Sequence, residues 1–480
     1  MGYNTSVCKS FLVDDKEVRL DMESAQKEYT DSLKGKRVAV IGLGVSNTPL
    51  VEKLLDAGVS VLACDKRERE EFDGLIESLE RRGLKTALGP DYLEHLQGVD
   101  VIFRTPGLRP DVPQITKAVA EGAQLTSEME VFVNLCPCRI IAVTGSDGKT
   151  TTTTVIAGML KAAGYRVFVG GNIGNPLLCR IDEIRPDDMA VLELSSFQLL
   201  TMRQSPGIAV VTNLAPNHLD VHKDMDEYVA AKRNIFAWQD ACDKVVLNAD
   251  NEITAGLAQE ARSQVTLFSR KKTLESGVYL KDGMVMCCGR PILHAEDILI
   301  PGLHNLENYM AAIAVVEDLV PDEVIRDFAR TFGGVEHRIE LVRELDGVRY
   351  YNDSIASSPS RTTAGLRSFK EKVILIAGGY DKHIPYDALG PEIVEHVKAL
   401  LLTGDTAEKI KAATLAAAGY RPGEPEIADC TDLKEAVERA RALAQPGDVV
   451  ILSPASASFD RFKNFAERGN VFKELVNTLR

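Results

Sequence analysis

The segment Arg139-Ile-Ile-Ala-Val-Thr144 is a short strand-forming run that enters a glycine turn, Gly145-Ser-Asp-Gly148, and leaves it through Lys149-Thr150 and a run of further threonines ending in Val155. A strand, a glycine turn and a helix in direct succession leave backbone N–H groups free in the turn and at the helix start. There they and the helix dipole cradle phosphate oxygens. Lys149 is placed to reach terminal phosphates and the Thr150 hydroxyl to hold Mg²⁺. Gly145, Ser146, Asp147, Gly148, Lys149, Thr150 and Thr151 are therefore predicted to bind a nucleoside triphosphate, ATP in the first instance. The usual spacing of such a loop puts its first glycine at Val143. A plain glycine turn with a surface lysine thus stays open as the alternative. The threonine run also suits a strand or loop. After a phosphate loop we expect the first turn of a helix, sustained by Ala157–Ala163.

The chain of 480 residues has room for about three domains. Its formal net charge of -14 excludes the basic face that nucleic acid or an anionic membrane requires, but a local basic pocket for a small anion remains compatible. Nine cysteines are present. Cys136-Pro-Cys138 and Cys287-Cys288 stand too close to suggest a disulfide framework, and no second Cys/His cluster completes a zinc site. Reduced thiols in a cytoplasmic protein are expected. Asp14, Asp15, Lys16 and Glu17 occupy the place where a signal peptide needs an apolar run, and no apolar stretch approaches the roughly 20 residues of a membrane span.

Residues 1–34 are polar with weak periodicity and are read as an extension or packed-on helix. Short apolar strands then alternate with amphipathic helices, the pattern of parallel sheets covered by helices, an α/β fold. The predicted divisions are a Rossmann-like domain over 35–136, a central ATPase-like domain over 137–334 and a second Rossmann-like domain over 335–480. Predicted strands are Arg37–Ile41, Ser60–Cys64, Val99–Arg104, Arg139–Thr144, Met189–Leu194, Ile208–Asn213, Lys244–Asn248, Val373–Ile376, Ala399–Thr403 and Val449–Leu452, with a helix over Pro49–Ala57. Gly333-Gly334 reads as a hinge.

In the first domain Gly42-Leu-Gly44-Val45-Ser46-Asn47 follows a strand, and Asp65 ends the next strand about 20 residues later, the position of a ribose-binding acid. Asn47 replaces the third glycine of the dinucleotide fingerprint, which weakens NAD as the ligand. A nucleotide diphosphate such as UDP would use the same helix start, and a simple strand-end cap is the other reading of Asp65. In the central domain Glu193 ends a strand beside Lys149 and Thr150, where a carboxylate holds Mg²⁺. His218, in Thr212-Asn-Leu-Ala-Pro-Asn-His218-Leu-Asp220, offers a nitrogen to a second metal. Lys232, in Tyr228-Val-Ala-Ala-Lys232, looks in isolation like a solvated lysine.

Taken together, Thr144–Thr150, Glu193-Leu-Ser-Ser-Phe197, Asn217-His-Leu-Asp220, Ala230-Ala-Lys232, Gly302-Leu-His-Asn305 and His337-Arg338 resemble, in order, the motifs of the Mur ligase family. The family comprises ATP-dependent amide-forming enzymes of peptidoglycan assembly. The segment Leu452-Ser-Pro-Ala-Ser-Ala-Ser458-Phe-Asp-Arg-Phe-Lys-Asn-Phe465 resembles that of the branch that joins D-glutamate to UDP-N-acetylmuramoyl-L-alanine. The resemblance implies a monomer with catalytic Lys149, Glu193, His218, Lys232 and Arg338. It implies two Mg²⁺ held by Thr150, Glu193, His218 and a CO₂-derived carbamate on Lys232. Asn305, Arg338 and Asp353 join the phosphate loop as ATP contacts. Val45, Ser46, Asp65, Arg67, Gly107, Asn172 and Ser195 match the UDP-substrate site. Ser357, Lys382, Ser458 and Phe465 match the D-glutamate pocket. Where some members carry a lysine after Asp-Ser, this chain has Ile355, and Arg361 or Lys382 is expected to compensate. The implied order is ATP, then UDP-sugar, then amino acid, with closure at Gly333-Gly334. Four other readings compete, the first a sister ligase that adds a different amino acid and would carry a different carboxy-terminal signature. Folylpolyglutamate ligases lack the leading Gly42/Asp65 domain, an NAD-dependent oxidoreductase would release no phosphate, and a bare nucleotide-binding module leaves Glu193, His218 and Lys232 without a task.

Overall fold

The computed structural model describes residues 26–219 and 221–480. Most of the expected extension, and Asp220 of the histidine motif, lie outside the described residues. The chain forms two compact units. One runs to Leu293 and takes in Glu307–Ile325, and the other joins His294–Leu306 to Arg326–Arg480. The first unit contains two sheets and the second one.

The first sheet comprises β1 (Arg37–Ile41), β2 (Ser60–Asp65), β3 (Lys85–Leu88), β4 (Val101–Phe103) and β5 (Gln124–Thr126), all parallel, in the order β3-β2-β1-β4-β5. Its short Val/Ile/Ala runs are buried on both faces, as a helix-covered parallel sheet demands. Val38, Val40 and Phe103 lie in the core, where truncation to alanine costs about 2–5 kcal/mol for side chains of this kind. The helix after β1 spans Asn47–Asp56, two residues earlier than expected. Pro49 is tolerated because it falls in the first turn, where its missing N–H has no partner to lose. Residues 26–33 are helical, and Leu33 and Tyr29 pack on this core, in keeping with a packed-on helix there.

The second sheet has β6 (Arg139–Thr144), β7 (Val167–Gly171), β8 (Met189–Glu193), β9 (Ile208–Val211), β10 (Lys244–Asn248), β11 (Gln264–Ser269), β12 (Val278–Lys281), β13 (Met284–Cys287) and β14 (Arg290–His294). Their order is β14-β13-β12-β11-β10-β9-β6-β8-β7. The threonine run does open a helix, Lys149–Ala162. Its β-branched side chains are accommodated by hydrogen bonds, Thr154 Oγ1 donating to the Thr150 carbonyl at 2.8 Å and Thr152 Oγ1 to Asn308 Oδ1 at 3.2 Å. Because β8 and β9 lie on opposite sides of β6, both parallel to it, the winding order of the strands reverses there. The carboxyl ends of β6, β8 and β9 therefore border one crevice, the place where open α/β sheets bind ligands.

The third sheet, in the second unit, is β15 (Glu340–Leu345), β16 (Val348–Asn352), β17 (Val373–Ala377), β18 (Val397–Leu402), β19 (Glu426–Asp429) and β20 (Val449–Leu452), in the order β15-β16-β20-β17-β18-β19. Gly333 and Gly334 belong to this unit, and Leu341 N–H donates to the Gly333 carbonyl at 2.7 Å.

Candidate active site

The glycine loop after β6 is built from both sides. A Cβ on Gly145 would lie 1.9 Å from Thr212 Oγ1, and one on Gly148 2.2 Å from Asn308 Oδ1, so both positions require glycine. Thr212 Oγ1 donates to the Asp147 carbonyl at 2.6 Å, Asp147 N–H donates to Asn213 Oδ1 at 3.0 Å, and Ser146 Oγ pairs with the Tyr228 hydroxyl at 2.9 Å. Lys149 Nζ curls over the loop and donates to the Gly145 and Ser146 carbonyls at 2.9 Å each. The loop is thus fixed by β9's exit and by the helix Met225–Arg233, with its lysine lying across the loop carbonyls.

Glu193 closes β8 and is 1% exposed. Its Oε1 accepts from Asn172 Nδ2 at 2.7 Å, whereas Oε2 is buried with no hydrogen-bond partner. A buried carboxylate oxygen left bare costs about 1–3 kcal/mol or more, and a bound cation removes that cost. The donors expected from the sequence, Thr150, Glu193 and His218, are of the hard oxygen-and-imidazole kind that suits Mg²⁺ or Mn²⁺. β7 approaches so closely that a Cβ on Gly171 would sit 2.2 Å from the Glu193 carbonyl.

His218 lies at φ 55°, a left-handed conformation that few non-glycine residues adopt and that concentrates at functional sites. Its ring meets Phe197 edge-on at 5.1 Å, and Phe197 in turn stacks on His222. His222 is fully enclosed, with Nε2 2.9 Å from Ser196 Oγ and Nδ1 3.4 Å from Glu227. Burial lowers its pKa despite the carboxylate. Glu227 is held by Arg109, whose Nη2 donates to it at 2.8 Å.

Lys232 is not solvated. It is 2% exposed and its Nζ donates to the Gly145 carbonyl at 2.8 Å and to Thr144 Oγ1 at 3.1 Å. Burial, reinforced by the charge of Lys149, lowers its pKa well below the ordinary lysine value. Its Nζ therefore abuts the phosphate loop itself.

The turn after β1 is differently made. Asp65 is buried and both its oxygens are used. Oδ2 accepts from Leu43 N–H at 2.7 Å and Arg67 Nη2 at 2.9 Å, and Oδ1 accepts from Arg67 N–H and Nε at 3.0 and 3.1 Å. Burial would raise its pKa, but these bonds outweigh it and hold the carboxyl below the usual range. Asn47 Nδ2 donates back to the Ile41 carbonyl at 3.0 Å, which is how the chain manages without the third glycine. Val45 and Gly107 are exposed and Ser46 half-buried, along the rim where the sheet order reverses between β1 and β4. Ser195 caps the short helix Ser196–Leu199.

In the second unit Asp353, Lys382 and Ser458 follow the carboxyl ends of β16, β17 and β20. Asp353 is enclosed and accepts from Ser453 Oγ at 2.8 Å. Burial pushes its pKa up to about 7. Arg338 is exposed and its charge acts on Asp353. Asn305 Nδ2 donates to the Pro301 carbonyl at 2.6 Å. Ser357 N–H donates to the Ile355 carbonyl at 2.8 Å, and Arg361 Nη1 donates to that same carbonyl at 3.2 Å, so Arg361 lies against Ile355. Ser458 is buried, Lys382 exposed and Phe465 39% exposed. Arg468, which the sequence did not single out, is buried and bonds Ser354, Ser456 and Ala457. Also missed were Tyr228, Thr212, Asn213 and Asn308. Tyr228, four residues before Lys232, carried the only available signal, a helical i,i+4 pairing.

Family models match three stretches: the Mur ligase MurD-like N-terminal domain over residues 36–127, the Mur ligase middle domain over 143–316, and the Mur ligase glutamate ligase domain over 337–456. A UDP-N-acetylmuramoylalanine–D-glutamate ligase of Acetivibrio thermocellus is 56% identical over 465 residues, covering 95% of this chain and 100% of that protein. The ligase of the same description from Ruminiclostridium cellulolyticum is 53% identical, covering 96% and 100%. The crystal structure of a UDP-N-acetylmuramate–alanine ligase from Thermotoga maritima shares the fold at TM-score 0.55 and 20% identity, covering 92% of this chain and 99% of that one. On these matches the chain belongs to the Mur ligase family.

Proposed function

We propose that the chain is an ATP-dependent amide ligase that joins D-glutamate to UDP-N-acetylmuramoyl-L-alanine, releasing ADP and phosphate. The observation that carries it is a phosphate-type loop flanked by a buried carboxylate with one bare oxygen, Glu193 Oε2.

A carboxylate does not condense with an amine in water because oxide is too poor a leaving group. The substrate carboxylate oxygen attacks the γ-phosphorus, the bridging bond to ADP breaks, and an acyl phosphate forms. The neutral amine of D-glutamate then attacks the acyl carbon, the C–O bond to phosphate breaks, and one amine proton leaves. Nucleophile and triphosphate are both anionic, so catalysis rests on positioning and on positive potential. The loop N–H groups of Gly145–Thr151 and Lys149 Nζ supply that potential. Thr150, Glu193 and His218 are the residues that would hold Mg²⁺, whose charge offsets the repulsion between the two anions.

Lys232 fits a further role. Burial beside Lys149 lowers the pKa of its amine, and the free-base form adds to CO₂ through the nitrogen lone pair and loses a proton, giving a carbamate. A cation disfavoured in that position thereby becomes an anionic oxygen donor suited to a second hard metal ion. Val45, Ser46, Asp65, Arg67, Gly107, Asn172 and Ser195 are assigned to the UDP-substrate. Asn305, Arg338 and Asp353 are assigned to ATP, and Ser357, Lys382, Ser458 and Phe465 to D-glutamate. Asp65 works on the substrate indirectly, by holding the Gly42–Gly44 turn and Arg67 in place. The enzyme acts as a monomer in the cytoplasm, where ATP is supplied. Among the described residues no helix is long and apolar enough to cross a membrane.

Phosphate release, measured with ATP, Mg²⁺, the UDP-sugar and a panel of amino acids, tests the assignment. Release that depends on D-glutamate supports it; release with a different acceptor, or none with any, overturns it.

A further inference from the structure

Away from the ATP loop, β13 ends in Cys287, and the turn into β14 is Cys288-Gly289. Cys288 and Gly289 both have positive φ, 49° and 79°. Two such residues between neighbouring strands make the tight hairpin turn that normally selects Asn-Gly or Asp-Gly. Cysteine has no side-chain carbonyl to favour that conformation, and a strained residue points to a use for its side chain. The consequence is visible. Consecutive strand residues face opposite sides of a sheet, yet both sulfurs here reach the same atom. Cys287 Sγ lies 2.9 Å from Glu317 Oε2, and Cys288 Sγ 3.6 Å from it. Glu317 follows the helix Leu303–Val316, and its other oxygen is held by Lys244 Nζ at 2.7 Å.

We propose that Cys287, Cys288 and Glu317 form a binding site for a thiophilic divalent cation of the zinc class. One donor atom from each residue falls within 4.8 Å of the others, near enough for small side-chain rotations to bring them onto three vertices of a tetrahedral site with bonds of about 2.0–2.3 Å. Water fills the fourth position. Two thiol protons pass to solvent as the two sulfur–metal bonds form, and the carboxylate contributes one oxygen without losing a proton. Charge closes as well, since two thiolates and a carboxylate balance the dication together with Lys244. Arg290 adds no excess, because Asp322 pairs with it. Lys244 fixes the carboxylate as outer partners of metal ligands do, and the exposed Cys288 provides the entry path. Spacing that counts only cysteine and histidine cannot find this site, because the third donor is a glutamate about 30 residues away in sequence. The occupied site would staple the β13–β14 hairpin to the end of the helix that also carries Asn308 beside the ATP loop.

The test uses the full-length protein, reduced and chelator-stripped, titrated with Co²⁺. The expected result is a thiolate-to-cobalt charge-transfer absorption that saturates at one metal per chain and is displaced by Zn²⁺. An oxygen-and-imidazole Mg²⁺ site gives no such band. Cys288→Ser, at an exposed position that leaves the fold undisturbed, should at least halve the band and weaken Zn²⁺ binding about tenfold or more. Glu317→Gln should weaken binding while the band persists at saturation. A Cys136→Ser/Cys138→Ser variant should leave both readouts unchanged. No charge-transfer band in the wild-type chain overturns the proposal, as does a band unaffected by Cys288→Ser or one lost with Cys136 and Cys138.

Discussion

Two glycine turns in the first unit follow the same plan, a parallel strand, a turn and a helix with an acid on the neighbouring strand, and they differ in how that acid is satisfied. After β1, every oxygen of Asp65 is committed to Leu43 and Arg67. After β6, Glu193 keeps one oxygen bare although it is equally buried. The first acid braces its turn, so its ligand is met by the rim of the turn. The second keeps an oxygen without a hydrogen bond at a cost in stability, which suits the cation proposed for it. A buried acid is therefore informative about function only after its internal bonds have been counted.

The largest expected effect is at the second turn. Lys149→Ala removes the side chain lying across the loop carbonyls, and ATP-dependent phosphate release should fall by about 10³-fold or more; retained turnover would reduce the loop to a simple turn. Lys232→Ala should remove most activity, roughly 10²-fold or more, with the unfolding transition still cooperative; full activity would dismiss a second metal site. Glu193→Gln distinguishes the two acids best. It retains an oxygen for Asn172 but loses the anionic partner for a cation, so turnover should drop about 10²-fold while the melting temperature stays level or rises. Asp65→Ala should do the reverse. It leaves Leu43 N–H and the Arg67 guanidinium unsatisfied, costing about 1–3 kcal/mol, and raises KM for the UDP-substrate more than KM for ATP. Equal rises in the two KM values would detach Asp65 from the uridine site. Because its folded pKa is depressed, the stability from Asp65 is present above its unfolded value of about 3.9 and is lost as pH falls through the lower folded value.

A smaller effect of opposite sign comes from Asp353. Its folded pKa is raised to about 7, so between about 3.9 and 7 the unfolded chain ionises while the folded chain keeps its proton, and stability declines as pH rises through that window. Asp353→Asn should flatten this decline in thermal unfolding followed from pH 5 to pH 8.

Much of the frame was legible in the sequence. Strands Arg37–Ile41, Arg139–Thr144, Lys244–Asn248 and Val449–Leu452 end where their apolar runs end, because a strand buried on both faces tolerates little else. Val99–Arg104 shortened to Val101–Phe103 because Val99 turns out of the sheet before pairing with β1 begins. The site was legible as a set of motifs and illegible as a set of supports. Nothing in the order of residues places Tyr228 on Ser146, Thr212 on Asp147 or Asn308 against Gly148, since those pairings depend on tertiary packing across 65 to 160 residues of chain. Lys232 is the sharpest case: its helix pattern reads as a solvated lysine, and only its burial against the loop shows an amine whose pKa is pushed well below the ordinary lysine value.

The central claim is that the loop, Glu193 and Lys232 convert a carboxylate into an acyl phosphate. Its most direct measurement uses UDP-N-acetylmuramoyl-L-alanine labelled with ¹⁸O in the carboxylate. If that oxygen attacks the γ-phosphorus, the phosphate released on amide formation carries one ¹⁸O atom. Amide formation with unlabelled phosphate would contradict the mechanism.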